Sequence, residues 1–224
     1  MSFKDRNNVP EVARVTKARD VITSPNLWRW VMEGKVFEAG YGLEDSAITC
    51  EGAVDDVNVA YSLQAPAGTD LLIIPILLKI CITDDGGQLT TFQLMFTKPA
   101  GLCATTLVLT PGTALTSKHC LYQTNPKKAE QKATTLSALT SSALVAADYV
   151  SYHRGHVITN VLTSGLVAMG EGPSNVHTFR FLKEGAPHIM TSGAAMLVHV
   201  NSADTDSATT CYMQWAEVTE DDLY

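Results

Sequence analysis

The chain has 224 residues, of which 46% are hydrophobic and only 17% are charged, and its formal net charge at pH 7 is −7. A chain of this length can bury a full core, as one large all-β domain or two small domains, without disulfides or metals. Its charged fraction is low against the roughly 25% usual for soluble domains. Two alternatives follow: copies of the chain cover part of the surface, or Thr, Ser and Gly coat it. The longest apolar run, Leu71–Ile82, is too short to span a bilayer.

Charge is unevenly distributed along the chain. Residues 1–30 carry a balance of +3, so the remainder carries −10. A basic arm before an acidic body is one way to contact nucleic acid, and an ordinary solvated terminus is the alternative. Binding through counterion release scales with the number of phosphates neutralised, so this arm needs many chains acting together. The candidate contacts on the arm are Lys4, Arg6, Arg14, Lys17 and Arg19.

Residues 1–23 show no helical or strand period, which predicts an extended N-terminal arm. The segment Ser24–Gly34 then has Ser at the cap position, Pro25 at the first helical position and Gly just beyond the end. This pattern predicts a short helix. Trp28 and Trp30 are two positions apart and cannot share a helical face. We therefore expect one of them to pack inward and the other to contact a neighbouring subunit.

Strand and turn patterns dominate from Lys35 onward. The Asp84–Gly87 segment predicts a tight hairpin between the strands 71–83 and 90–96. Pro75 predicts a bulge or an edge position, because proline cannot donate to the ladder.

The end of the chain, residues 194–218, predicts a second, closing hairpin around a polar loop at 201–207. Both of its arms are apolar on both faces. Such strands are normally covered on both sides, by a second sheet and by a neighbouring element or chain.

One segment, Lys132–Asp148, departs from the strand and turn pattern and predicts a helical insertion. Its apolar residues fall on one helical face: Leu136, Leu139, Ala143, Leu144 and Ala147. Otherwise about ten strands follow one another without alternating helices, which predicts an antiparallel sandwich or barrel. We place this body at residues 24–224, after the arm.

The sequence lacks recognised motifs for catalysis, nucleotide binding and metal binding. Five cysteines are widely spaced without any CxxC pair, which predicts buried, reduced thiols. His153 and His156 have ligand spacing, but no acidic or Cys partner lies nearby in the sequence. Nucleotide loops, the hydrolase elbow and calcium loops are also absent. The sequence therefore predicts no enzyme, no catalytic residue, no cofactor, no metal and no small-molecule substrate. The absence of a signal peptide and of glycosylation sequons fits synthesis in a reducing cytosol.

The layout resembles the single jelly-roll coat proteins of small icosahedral viruses. Four features carry the resemblance: the basic arm, the capped helix Ser24–Gly34, the β body with one helical insertion, and a terminal hairpin whose last strand, Cys211–Val218, is rich in aromatic side chains. These features extend over most of the chain. The resemblance is in their order along the chain, and no sequence motif among them is diagnostic of the family.

The resemblance implies an all-β antiparallel jelly-roll β-sandwich that acts as a major capsid protein. Many copies would assemble into an icosahedral virion shell, with Trp28 and Trp30 at subunit interfaces. The implied partners are copies of the chain, the viral genome (directly or through another protein) and minor capsid proteins. Synthesis would occur in the host cytoplasm. The alternative is a lectin-like ligand- or receptor-binding β-sandwich that forms a small oligomer. A cupin-type enzyme would need clustered His and Glu on adjacent strands.

Overall fold

The computed structural model is mostly β, with few helices. It describes residues 2–4, 10–12, 26–41, 48–49, 58–84, 90–103, 109–110, 113–120, 132–139, 148–157, 176–183, 188–202 and 208–223. The helical elements of this part are α1 (Asn26–Met32) and two 3₁₀ turns, Ala100–Leu102 and Glu220–Leu223. Its strands are β1 (Ser2–Lys4), β2 (Pro10–Val12), β3 (Val36–Tyr41), β4 (Ile48–Thr49), β5 (Asn58–Gln64), β6 (Leu72–Asp84), β7 (Thr90–Thr97), β8 (Leu109–Thr110), β9 (Thr113–Ala114), β10 (Lys118–His119), β11 (Lys132–Leu139), β12 (Tyr149–Val157), β13 (Val176–Phe179), β14 (Ala195–Ser202) and β15 (Ala208–Val218). Among these residues, no helix is long and apolar enough to cross a membrane.

Two antiparallel sheets form the body. The first sheet has the order β10-β3-β15-β6-β13, with β4 also paired to β15. The second has the order β12-β7-β14-β5-β11-β8, with β9 also paired to β11. In the arm, β1 and β2 pair with each other. The all-β sandwich expected from the sequence is consistent with this architecture.

Eight principal strands, four in each sheet, pair in a nested way. In chain order they are β3, β5, β6, β7, β12, β13, β14 and β15. The first pairs with the eighth, the second with the seventh, the third with the sixth and the fourth with the fifth. Two further pairings, β15 with β6 and β14 with β7, join these four pairs into the two sheets.

Both predicted hairpins are wrong. Strand β6 lies in the first sheet and β7 in the second, and β14 and β15 are separated in the same way. A turn sequence reverses the chain but does not choose the lateral partner of each strand. Here β6 and β15 pair with each other over eleven positions, and β7 and β14 over seven. These partners lie far apart in the sequence, and together they form the centres of the two sheets.

The predicted helical insertion is wrong over residues 132–139, which form strand β11. Its threonines and serine are weak helix formers, and β-branched side chains favour a pleated strand. Strand β5 supplies backbone partners on one side of β11, and β8 and β9 supply them on the other. The apolar spacing was therefore outweighed by sheet pairing. Residues 140–147 of the same prediction lie outside the described ranges.

The predicted short helix is confirmed as α1, and its end follows the glycine rule. Gly34 has a φ of +76°. Its amide donates to the Val31 carbonyl at 3.1 Å, and the Lys35 amide donates to the Trp30 carbonyl at 2.8 Å. This is the Schellman arrangement that satisfies the last carbonyls of a helix.

The bulge predicted at Pro75 is also present. The pairing of β6 with β15 shifts register where Gln214 faces Leu77 and Trp215 faces Pro75. Strand β13, on the other side of β6, pairs only with residues 78–81. Pro75, which has no amide hydrogen to donate, therefore lies outside the ladder between β6 and β13.

The main core fills the space between the sheets. Its largest fully buried side chains include Trp215, Tyr61, Phe37 and Phe92. Two smaller clusters cover the outer faces of the sheets. One packs beneath α1 on the first sheet, and the other joins Val59, Ala195 and Leu197 of the second sheet to Ala100, Cys103 and Tyr149. The apolar outer positions Ala195, Leu197, Ala216 and Val218 of the two-sided strands β14 and β15 are thus covered by elements of their own chain.

Candidate functional site

Helix α1 separates the two tryptophans that the sequence places at a subunit interface. Trp30 is 5% exposed, whereas Trp28 is 65% exposed. Met32, four residues after Trp28 and therefore on the same face, is 68% exposed. Of the predicted pair, only Trp28 is thus available to a neighbour, and it forms an outward apolar surface with Met32. We call these two residues the α1 surface.

The inward face of α1 is fixed on the outer face of the first sheet. Trp30 packs in a cluster whose buried members are Val36, Leu72, Ile74, Ala216 and Val218. Leu27 and Val31 of the helix pack against the same cluster. Burying a large aromatic side chain in this way contributes a few kcal/mol, so the orientation of α1 is set by packing.

The 3₁₀ turn near the end of the chain holds α1 in place. The Asp222 carboxylate pairs with Lys35, and the Asp222 carbonyl accepts hydrogen bonds from Arg29 and from Trp30 Nε1. Burial alone would raise the pKa of Asp222, but hydrogen bonds from Lys35 and Thr219 lower it below its usual value. This carboxylate is therefore charged at neutral pH and stabilises the contact between the turn and the helix.

A groove of about 730 Å³ lies on the same outer face of the first sheet, beyond α1. It crosses β10, β3, β15, β6 and β13. Lys79 and Lys118 line it and are exposed, and its floor includes Gly40 and Tyr212. A Cβ added at Gly40 would lie 3.6 Å from the Tyr212 ring, so the absence of a side chain leaves space above the strand beside that ring.

Among the described residues that line the groove, the single carboxylate is that of Glu38, and it already has partners. Its Oε2 accepts the Tyr212 hydroxyl at 2.5 Å and Gln214 Nε2 at 3.4 Å, and Cys120 Sγ lies 3.8 Å away. Burial, with help from Glu38, raises the pKa of Tyr212 and raises that of Cys120 to about 12. Both groups therefore stay neutral at physiological pH, and neither is an activated nucleophile.

The predicted arm residues are mostly outside the described ranges. Lys4 ends strand β1, while Arg6, Arg14, Lys17 and Arg19 are not described. His153 and His156 both lie on strand β12. Within the described ranges, no group of three or more His, Cys, Asp or Glu residues is arranged to hold a metal ion. The four cysteines described (Cys81, Cys103, Cys120 and Cys211) form no disulfide.

Sequence reasoning missed the groove. One signal was available: Lys79 interrupts the apolar run Leu71–Ile82, and a lone lysine in a buried strand marks a position on the outer face. The other groove residues come from distant parts of the chain and carry no pattern of their own. The chain matches no known family model, no curated protein and no solved structure. A proposal of function therefore depends on the fold and on the two surfaces described above.

Proposed function

We propose that this chain is a single jelly-roll capsid protein that assembles with many copies of itself into an icosahedral virion shell around a genome. The observation that carries the proposal is the nested order of the eight principal strands. Pairs one–eight, two–seven, three–six and four–five are the pattern of a long antiparallel ribbon rolled into a sandwich, as in a jelly roll of two Greek keys. Viral capsid proteins, lectins and cupins share this fold.

The α1 surface favours the capsid protein among these classes. Trp28 and Met32 form an exposed apolar pair on a helix whose orientation is fixed from below by Trp30 and Asp222. Tryptophan and methionine are enriched where proteins contact one another, and a rigid aromatic side chain loses little entropy on burial. In a closed symmetric shell, each such contact is repeated in every subunit, so modest contacts suffice.

Size-exclusion chromatography of the full chain with light scattering, followed by electron microscopy, tests the proposal. We expect closed particles of megadalton mass. A monomer or small oligomer at high protein concentration would overturn the capsid proposal and would favour the lectin-like module. Under the capsid proposal, minor capsid proteins or the genome are also expected to copurify with the chain. The lectin-like alternative does not predict these partners.

A pair of variants tests the α1 surface. Trp28→Glu should prevent particle formation and leave a soluble, β-rich protein, because it places a charge in the subunit contact without touching the core. Leu102→Glu is the matched control, since Leu102 is 70% exposed on a 3₁₀ turn over the second sheet. Equal loss of particles in the two variants would contradict the assignment of the contact to α1.

A further inference from the structure

We propose that the groove on the outer face of the first sheet binds single-stranded nucleic acid. This inference rests on the proposed shell function and adds a genome contact on the folded body to the predicted contacts of the arm. The carrying observations are two exposed lysines, an aromatic floor, and the position of the groove on the sheet face that holds α1.

The charge of the groove is opposite to that of the body around it. Lys79 and Lys118 are exposed, and neither forms an ion pair with any other residue that the structure describes. Hydrogen bonds from Tyr212 and Gln214 satisfy the Glu38 carboxylate without cancelling its charge, but the two lysines outnumber it, so the described residues that line the groove sum to +1. The groove is therefore a local positive site on a body that carries −10 beyond residue 30. Phosphates are the natural partners of such a site.

The spacing of the lysines fits a polymer that crosses the groove. Lys118 is on β10 and Lys79 on β6, with β3 and β15 between them. Three strand spacings place the two backbones about 14 Å apart. Lysines at that separation can contact different phosphates of one nucleic acid strand.

The floor between the lysines suits unpaired bases. Tyr212 lies there beside Gly40, where no side chain covers the sheet. Base stacking on aromatic side chains contributes about 1–3 kcal/mol per base and tolerates any sequence. Lysines that follow the backbone, combined with an accessible aromatic ring, are the usual elements of single-strand binding, and Tyr212 is a half-buried ring in the floor.

The groove lies on the same face of the sheet as α1. Along β3, Val36 contacts the α1 cluster while Glu38 and Gly40 line the groove, and alternate residues of a strand share one face. Helix α1, which begins at Asn26, and the groove therefore share one face of the first sheet.

The test is binding of a fluorescently labelled 20-nucleotide oligouridine to the full chain, followed by anisotropy at several salt concentrations. The double variant Lys79→Gln/Lys118→Gln should bind at least about fivefold more weakly. Its slope of log K against log salt should fall by about 1.4, because each phosphate contact of a single strand contributes about 0.7. The matched control, Lys98→Gln/Lys183→Gln, removes two exposed lysines outside the groove and should bind as the native chain does. Equal effects of the two double variants would overturn the proposal.

A second variant tests whether binding depends on the shape of the groove independently of its charge. Gly40→Val fills the floor beside Tyr212 with a β-branched residue that strands tolerate. It should weaken oligouridine binding while leaving the circular dichroism spectrum and the salt slope unchanged. Unchanged affinity in a folded Gly40→Val protein would contradict binding across this floor.

Acetylation of lysines in assembled particles distinguishes nucleic acid from a protein occupant. Lys79 and Lys118 should be protected in particles that contain nucleic acid and reactive in particles assembled without it. Protection in both would mean that another copy of the chain covers the groove, which would overturn the proposal. Particle formation is read separately by light scattering, so failure of the groove and failure of the shell proposal are distinguishable.

Discussion

The hydroxyl of Tyr61 donates a hydrogen bond to the backbone carbonyl of Thr209 at 2.9 Å, across the interior of the sandwich. Tyr61 is on β5 of the second sheet and Thr209 is on β15 of the first, and both are fully buried. This polar contact joins the two sheets through the core, so it fixes the position of one sheet relative to the other in a way that dispersion forces alone do not.

Tyr61→Phe should therefore lower the free energy of unfolding by about 1–3 kcal/mol, because it leaves a buried carbonyl without this donor. The measurement is urea denaturation of both proteins at the same concentration. Tyr149→Phe makes the same chemical change at a half-buried position. It should change the free energy of unfolding by less than about 0.5 kcal/mol. Equal losses in the two variants would show that the inter-sheet hydrogen bond has no special role.

The two tryptophans of α1 should differ sharply in stability. Trp30→Ala removes a side chain that is 5% exposed and should cost about 3–5 kcal/mol. Trp28→Ala removes one that is 65% exposed and should change the free energy of unfolding by less than about 0.5 kcal/mol. Urea denaturation of both variants checks this difference. A large loss for Trp28→Ala would mean that Trp28 supports the fold of its own subunit and is not free for a neighbour.

Local features of the fold could be predicted from the sequence, because local residues determine them. The end of α1 at Gly34 and the bulge at Pro75 each follow from the backbone preference of one residue type, whereas the predicted helix start at Ser24-Pro25 lies outside the described ranges. The separation of Trp28 and Trp30 follows from helical geometry alone. These predictions needed no knowledge of what lies across the core.

Lateral strand pairing could not be predicted in the same way. The Asp84–Gly87 segment is a good hairpin sequence, yet β6 and β7 separate into different sheets. For β11, the apolar spacing fits a helix, but pairing with β5, β8 and β9 outweighs that spacing. The groove could not be predicted for the same reason. Lys79 and Lys118 share one face of the first sheet because β3 and β15 lie between their strands, and the sequence does not indicate that strand order.

Two glycines with positive φ, Gly68 and Gly193, allow the cost of backbone strain to be compared with the cost of strain plus a steric clash. Gly68 has a φ of +74° with open space where a Cβ would stand, whereas at Gly193 (φ +81°) a Cβ would lie 2.8 Å from the Ala100 Cβ. Gly68→Ala should cost about 1–2 kcal/mol from backbone strain alone. Gly193→Ala should cost more, because the clash also pushes the 3₁₀ turn from its place. Thermal or urea unfolding of both variants checks the order, and a smaller loss at Gly193 would contradict it.

His188 should make the stability of the fold depend on pH. Its ring stacks on Phe96 with a centroid distance of 4.2 Å and an interplanar angle of 5°, and it meets Tyr152 edge-on at 4.9 Å. Burial among these neutral rings lowers the pKa of His188 below its usual 6.5. As the pH falls below 6.5, the unfolded chain takes up a proton that the folded chain resists, so the free energy of unfolding decreases until the pH passes below the folded pKa.

The measurement is urea denaturation between pH 7.5 and 5.5 for the native chain and for His188→Phe. The phenylalanine retains an aromatic ring beside Phe96 and cannot titrate, so the variant should lose less stability over this range. An NMR titration of the His188 ring in the folded protein gives its pKa directly, and we expect a value below 6.5. Parallel stability curves for the two proteins, or a folded pKa at or above 6.5, would show that the aromatic contacts do not hold His188 neutral.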